Sequence, residues 1–384
     1  MIKASIIFIL SFILSFYVMY QEKSFNDDTI YIGTSIPKTN IMARVGNSVE
    51  TGALAYFKHA NENNLLNGKK IELISYDDKY EPELTLQNVS KLIHEDNIFT
   101  LFGIVGTPTV KNILPILNED SVPLFATFSG AAFLRDPNQN YINFRSSYQE
   151  EIEQTVKYLY EKKGITRFAV FYQNDDYGEE GYISIINSLE KRGLKLQAEG
   201  NYKRNTLSIK HAFHEIKDKD PEAIIMVGAY RANSLFIQKA KMDKNLKDTI
   251  FCNISFGDAN SMVKELIDQD VSLDNLLFSV VVPNYLDDSI AITREYKNMM
   301  NKYFPYEELS FISFEAYLSA KVLVDAINRI EGSITRSKFR DALEFTPRKT
   351  LDGIDLKYRN SQLLNKIYLF EYKDSGFKEI DFEK

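Results

Sequence analysis

The sequence predicts an α/β protein of two doubly wound parallel-sheet lobes joined by a three-strand hinge. Short β-branched and aromatic runs alternate with longer stretches of helical period from Thr29 onward, and this alternation occurs in two similar series. The chain has 384 residues at 44% hydrophobic content, enough for two cores of ordinary size. Right-handed crossovers make each series a layer with helices on both faces.

The first series runs "IYIGTSI", helix 45–64, "KIELISY", helix 82–95, "FTLFGIV", helix 108–118 and "VPLFATF". In its first helix Val49, Ala53, Tyr56, Phe57 and Ala60 recur at three- and four-residue steps, while Glu50, Lys58 and Glu62 face outward. The second series runs helix 148–163, "RFAVFYQ", helix 177–192, "LKLQAEG", helix 207–217, "AIIMVGA", helix 232–242 and "DTIFCNI". Ile183, Ile186 and Leu189 are expected on the inner face of helix 177–192, with Gly193 as its stop.

The chain is expected to leave the first lobe near Ser147. It returns at the apolar strand broken by Pro283, supplies helices 289–303 and 311–329, and crosses again before the late strand "NKIYLFEYKD". Lobe one then comprises 29–147 and 284–362, and lobe two 148–283 and 363–384. Three adjacent crossings form a hinge. The tail "KEIDFEK" reads as a solvated end.

Residues 1–28 read as an export signal or an N-terminal anchor. Lys3 precedes an apolar run over 4–20, yet Tyr17, Met19 and Tyr20 stand where a cleavage site wants small residues. Cleaved export to the periplasm is the favoured reading, and a retained anchor stays open because about 17 residues can span a bilayer. No Cys follows the run, which excludes a lipoprotein anchor. Cys252 is the single cysteine, so there is no intrachain disulfide and no thiol-rich metal or redox site. A net charge of −7 with no basic stripe argues against nucleic acid.

Ligands of open parallel sheets bind beyond the carboxyl ends of the strands. Those positions hold Ser35, Thr39, Thr107, Phe128, Ser129, Tyr177, Tyr230, Ser255 and Phe256, a set of hydroxyls and rings with scarcely a charge. Tyr177 in "FYQNDDYGEEG" is expected to face the space between lobes.

"GTPTVKNILPILNEDSVPLFATFSGAAFLRDP", "NFRSSYQEEIEQTVKYL", "FAVFYQNDDYGEEG", "YKRNT", "IIMVGAYRANSLFIQKAK", "NISFGDAN" and "SFEAYLSAKVLVDAI" resemble, in order and spacing, the type I periplasmic solute-binding proteins of the branched-chain amino acid and amide class. The resemblance extends over residues 30–372. It implies a clamshell that closes on a small molecule and delivers it to an ABC permease. It also implies a ligand-carboxylate contact at Thr107, a backbone amide and hydroxyl at Phe128, Ser129 and Gly130, and lobe-two contacts at Tyr177 and Tyr230. Where amino-acid binders of the family carry a carboxylate for the ligand ammonium, this sequence has Ser255 and Phe256, with Asp258 two residues on.

Tyr148, Tyr177, Tyr230 and Phe256 are read as aromatic walls, and Asp258 or Glu315 as a counter-charge. Each has an alternative reading: Tyr177 packing on its loop, Thr107 as a plain N-cap before Pro108, Phe128 in the core, Tyr148 at the hinge and Tyr230 at the rim. His211 and His214 share a helix face but lack a third metal ligand. Asp77 and Asp78 read as turn formers, Arg145 as half of a structural ion pair, and "GIVGT" as no phosphate loop.

The expected function is therefore a solute-binding protein of an ABC uptake system. It is taken to be monomeric, without cofactor or metal, and to bind a small amino acid, amide or carboxylate. A receptor module signalling to a membrane kinase or cyclase is the alternative. A hydrolase ranks last, because all four histidines fall within predicted helices and GxSxG is missing.

Overall fold

Strands and helices alternate into two sheets in a computed structural model that describes residues 22–381. The apolar segment 4–20 lies outside these residues. Among the described residues no helix is long and apolar enough to cross a membrane.

In the first lobe β1 (Thr29–Ile36), β2 (Lys70–Asp77), β3 (Thr100–Phe102), β4 (Leu124–Phe125) and β5 (Tyr141–Ile142) form a parallel sheet of order β2-β1-β3-β4-β5. Helices α1 (Ala43–Glu62), α2 (Pro82–His94) and α3 (Thr107–Glu119) are its crossovers. In the second lobe β6 (Phe168–Gln173), β7 (Leu196–Tyr202), β8 (Ala223–Val227), β9 (Ile250–Asn253) and β10 (Leu276–Val280) are also parallel. They alternate with α4 (Tyr148–Lys163), α5 (Asp176–Glu190), α6 (Lys210–Lys217), α7 (Tyr230–Lys241) and α8 (Ala259–Asp268).

The chain then supplies α9 (Ala291–Tyr303), α10 (Phe311–Asn328) and α11 (Arg336–Glu344). Helix α10 lies against α1 because Gly52 leaves room: a Cβ there would stand 2.1 Å from the Ser313 carbonyl oxygen. The closing strands β11 (Tyr368–Lys373) and β12 (Gly376–Glu379) are antiparallel and extend the second sheet to the order β12-β11-β10-β9-β8-β6-β7.

Two elements depart from expectation. Lys378 and Glu379 at the start of "KEIDFEK" are solvent-exposed, as a solvated end requires, but they pair in β12 because the 374–375 turn folds the chain back onto β11, where the preceding Phe377 packs against Phe278 and Phe311. On α5 the inner face is Gly181, Ser184, Ile185, Ser188 and Leu189, while Ile183 is half exposed. Small residues take the inner positions because the helix lies close to β8; a Cβ on Gly181 would meet Val227 at 2.5 Å.

The crossing segments pair with one another. Asn143 N–H donates to the Ser361 carbonyl at 2.8 Å, Leu363 N–H to Asn143 at 3.1 Å and Leu364 N–H to Phe144 at 2.8 Å. Ser147 then caps α4 in a reciprocal box with Glu150, so helix and hinge are joined by the same residue.

Candidate functional site

The carboxyl ends of both sheets face one another, and the residues there are side chains of strand-to-helix turns. On lobe one, Gly106 takes φ 104° before Thr107 opens α3 with Pro108 in its first turn. The Phe128 N–H bonds the Ile104 carbonyl at 2.8 Å and the Gly106 N–H bonds the Phe128 carbonyl at 3.1 Å, which locks the two turns together. As a result the Thr107 and Ser129 hydroxyls meet at 2.9 Å. Gly130 admits Tyr148, whose ring would lie 2.5 Å from any Cβ there.

On lobe two, Asp175 caps α5 by accepting from Tyr177 N–H at 3.1 Å and Gly178 N–H at 3.5 Å. That cap turns Tyr177 inward. Its ring lies 5.3 Å from Tyr148 and 4.6 Å from Phe256, and Phe256 lies 6.0 Å from Tyr80 of lobe one. Thr107, Ser129, Gly130, Tyr148, Tyr177 and Phe256 thus form one interlobe cluster.

Tyr148 and Tyr177 are fully buried, and neither hydroxyl has a hydrogen bond of good geometry, although the Tyr148 hydroxyl lies beside Thr107 and Gly130. Burial pushes both phenols above their ordinary range, so they are neutral donors at physiological pH. The Tyr177 hydroxyl, without a partner inside a closed interface, and the poorly aligned Tyr148 hydroxyl leave hydrogen-bonding capacity for a guest.

The remaining expected residues divide. Tyr230 opens α7, almost fully buried, with burial raising its phenol to about 12. Phe128 turns its ring toward the Arg145 guanidinium at 5.6 Å, and its backbone alone faces the α3 turn. Ser255 is drawn away from the cleft: its N–H and hydroxyl donate to the Glu151 carboxylate at 2.8 and 2.7 Å. Ser279 donates to the same carboxylate at 2.7 Å.

Asp258 takes φ 51° and caps α8 through Ser261 N–H at 3.2 Å, and burial raises its carboxyl above the usual range. Glu315 cannot serve a ligand, because Arg145 grips it in a fork at 2.9 and 3.0 Å with both side chains buried. Ser35 and Thr39 are likewise spent, on Asp78 at 2.9 Å and Asp77 at 2.6 Å. Among the described residues no group of His, Cys, Asp and Glu is placed to hold a metal.

Sequence reasoning missed the opposite flank of the cleft. Tyr80, at φ 62° after β2, is fully buried against Gly106 and accepts from Gln173 Nε2 of lobe two at 3.2 Å. Arg204, after β7, bridges Glu81 at 3.2 Å and Asp175 at 3.3 Å, and Asn205 donates to Glu81 at 2.7 Å. Both β2 and β7 are sheet edges remote from the crossings, so these contacts latch the lobes on the side away from the hinge. Tyr80 occupies a turn of the same kind as Tyr177, which was the available signal.

Arg204→Ala is expected to loosen the closed form by about 1 kcal/mol, as partly exposed ion pairs do, and so to lower ligand affinity roughly fivefold with little change in melting temperature. Small-angle scattering and calorimetry check this; unchanged dimensions and affinity would remove the latch.

Two parallel-sheet lobes that meet across a ring-and-hydroxyl cleft define a clamshell binding protein. The chain belongs to the periplasmic binding protein family, whose model matches residues 29–377. It is similar to the crystal structure of a possible leucine/isoleucine/valine-binding protein from Rhodopirellula baltica, at 31% identity and TM-score 0.86 over 93% of this chain and 97% of that one. It is 19% identical over 353 residues to the Leu/Ile/Val-binding protein homolog 7 of Brucella abortus, covering 87% of this chain and 86% of the relative. With the leucine-, isoleucine-, valine-, threonine- and alanine-binding protein of Pseudomonas aeruginosa it shares 21% identity over 224 residues, 58% of this chain and 60% of that relative's length.

Proposed function

We propose that this chain is the extracytoplasmic solute-binding component of an ABC uptake system, monomeric and without catalytic activity. It takes a small amino acid, amide or carboxylate between lobe one (29–147 and 284–362) and lobe two (148–283 and 363–384) and presents the closed form to a membrane permease. The names of its relatives, a leucine-, isoleucine-, valine-, threonine- and alanine-binding protein, a Leu/Ile/Val-binding protein homolog and a possible leucine/isoleucine/valine-binding protein, support this class of ligand. The observation that carries the reading is the buried cluster of Thr107, Ser129, Tyr148 and Tyr177, in which neither phenol hydroxyl has a well-formed hydrogen bond between the sheets. Gly130, the Phe128 backbone, Phe256 and Tyr230 complete the proposed lining.

Binding rather than turnover agrees with the placement of the histidines. His59, His94, His211 and His214 lie on α1, α2 and α6, not at the strand-to-helix turns.

The test is a thermal-shift screen over amino acids, their amides and short aliphatic and aromatic acids, since a ligand of the folded state raises the melting temperature. Thr107→Val and Tyr177→Phe are then expected to weaken the best ligand roughly tenfold each in calorimetry, the worth of one buried hydrogen bond. Full affinity in both variants would sink this placement of the ligand.

A further inference from the structure

The cleft carries one cation that the hydroxyl cluster does not use. Arg44 sits in the first turn of α1, the helix that follows the carboxyl end of β1. Its Nη1 is buried without a partner, and no hydrogen bond or ion pair joins the guanidinium to any described residue. Helix α1 opens beyond the carboxyl end of β1, the edge of the first sheet that faces the other lobe, and Tyr230 and Asp258 of that lobe lie within electrostatic reach of the guanidinium.

The neighbouring charges are already committed. Arg231 pairs with Glu265 at 3.7 Å, and Asp258 is held as the cap of α8 by Ser261 N–H. The cleft therefore combines the neutral hydroxyls of Thr107 and Ser129 with the guanidinium of Arg44, and Tyr230 and Asp258 stand near the latter.

A partly buried guanidinium with no hydrogen-bonded counter-ion is costly, and its planar fork matches a carboxylate. We propose that Arg44 is a specificity-determining residue that receives a carboxylate of the ligand in the interlobe cleft, so that the protein selects acids over the matching amides. This deepens the proposed function and rests on the interlobe cleft being the binding site.

The experiment uses acid–amide pairs of one skeleton: benzoate with benzamide, and 4-methylpentanoate with 4-methylpentanamide, each titrated by calorimetry into the wild-type protein, Arg44→Gln, Arg44→Lys and Thr107→Val. Wild type is expected to bind at least one acid about tenfold or more tightly than its amide, a preference weakened by salt. Arg44→Gln abolishes that preference by weakening the acid alone, at an unchanged melting temperature, and Arg44→Lys retains part of it.

The proposal is overturned if Arg44→Gln leaves the acid-to-amide ratio intact, if it weakens both partners equally, or if wild type takes neither acid at millimolar concentration. Should Thr107→Val weaken both members of a pair while Arg44→Gln spares both, the cleft stands and the Arg44 assignment falls. Should neither change affect a bound probe, the cleft reading itself falls.

Discussion

Glu315→Ala is expected to destabilise the protein by about 3–5 kcal/mol, because it strands the Arg145 charge in the hinge without its partner. Arg145 is fully buried, its Nε and Nη2 are bound to Glu315 at 2.9 and 3.0 Å, and its Nη1 already lacks a hydrogen bond. Burial pushes the Glu315 carboxyl above its ordinary range, and the guanidinium opposes that rise. Removing the carboxylate leaves a desolvated cation with nearby Glu151 as its remaining counter-charge, and that carboxylate is occupied by Ser255 and Ser279.

Chemical denaturation measures the loss. The double change Arg145→Met with Glu315→Leu is expected to recover most of it, since a buried pair and an apolar pair of similar volume are often of comparable stability. An Ala variant as stable as wild type, or a double variant worse than the single, would show that the pair does not act as a unit. The pair joins the end of the first crossing to α10, and Glu151 reaches from α4 to the second sheet, so loss of the pair is also expected to broaden the range of lobe angles.

Gly178→Ala is the second large effect, and here two contributions of opposite sign compete. Alanine in a helix gains up to about 1 kcal/mol over glycine. Its Cβ, however, would stand 1.7 Å from the Gln173 carbonyl oxygen and 2.9 Å from the Tyr172 ring, so the first turn of α5 must shift. Overpacking of this kind costs about 1–3 kcal/mol, and the contact is with backbone, which cannot swing away. The clash wins.

Because Asp175 ties Tyr177 and Gly178 to the same cap, the displacement carries Tyr177 with it. Ligand affinity is expected to fall roughly tenfold or more while secondary structure persists. Calorimetry with the best hit of the thermal-shift screen decides: wild-type affinity in Gly178→Ala would separate the α5 turn from ligand binding.

The two α/β series were legible because strand and helix differ in hydrophobic period, and period is a local property. Turn positions were legible as well: Thr107, Ser129 and Tyr177 follow from the rule that ligands gather beyond parallel strand ends. Partners were not. Ser255 occupies an expected site position, yet its hydroxyl goes to Glu151, 104 residues away in sequence. Glu315 is bound by Arg145, 170 residues away. The inner face of α5 was misread for a related reason, since helix-to-sheet distance, set by Gly181 against Val227, decided which side chains turn inward.

What the sequence by itself determined was the order of elements, the family resemblance and the chemistry of the strand-end turns, all of which depend on neighbours within a few residues. Only the tertiary structure decided which of those polar groups are already spent and which remain free. Hydrogen bonding and charge pairing saturate: a hydroxyl or carboxylate claimed by a distant residue has little left for a ligand, and that claim is made in space. Tyr148 and Tyr177, which the fold buries, and Arg44, whose Nη1 it buries, stand out because none of these buried atoms has a well-formed partner.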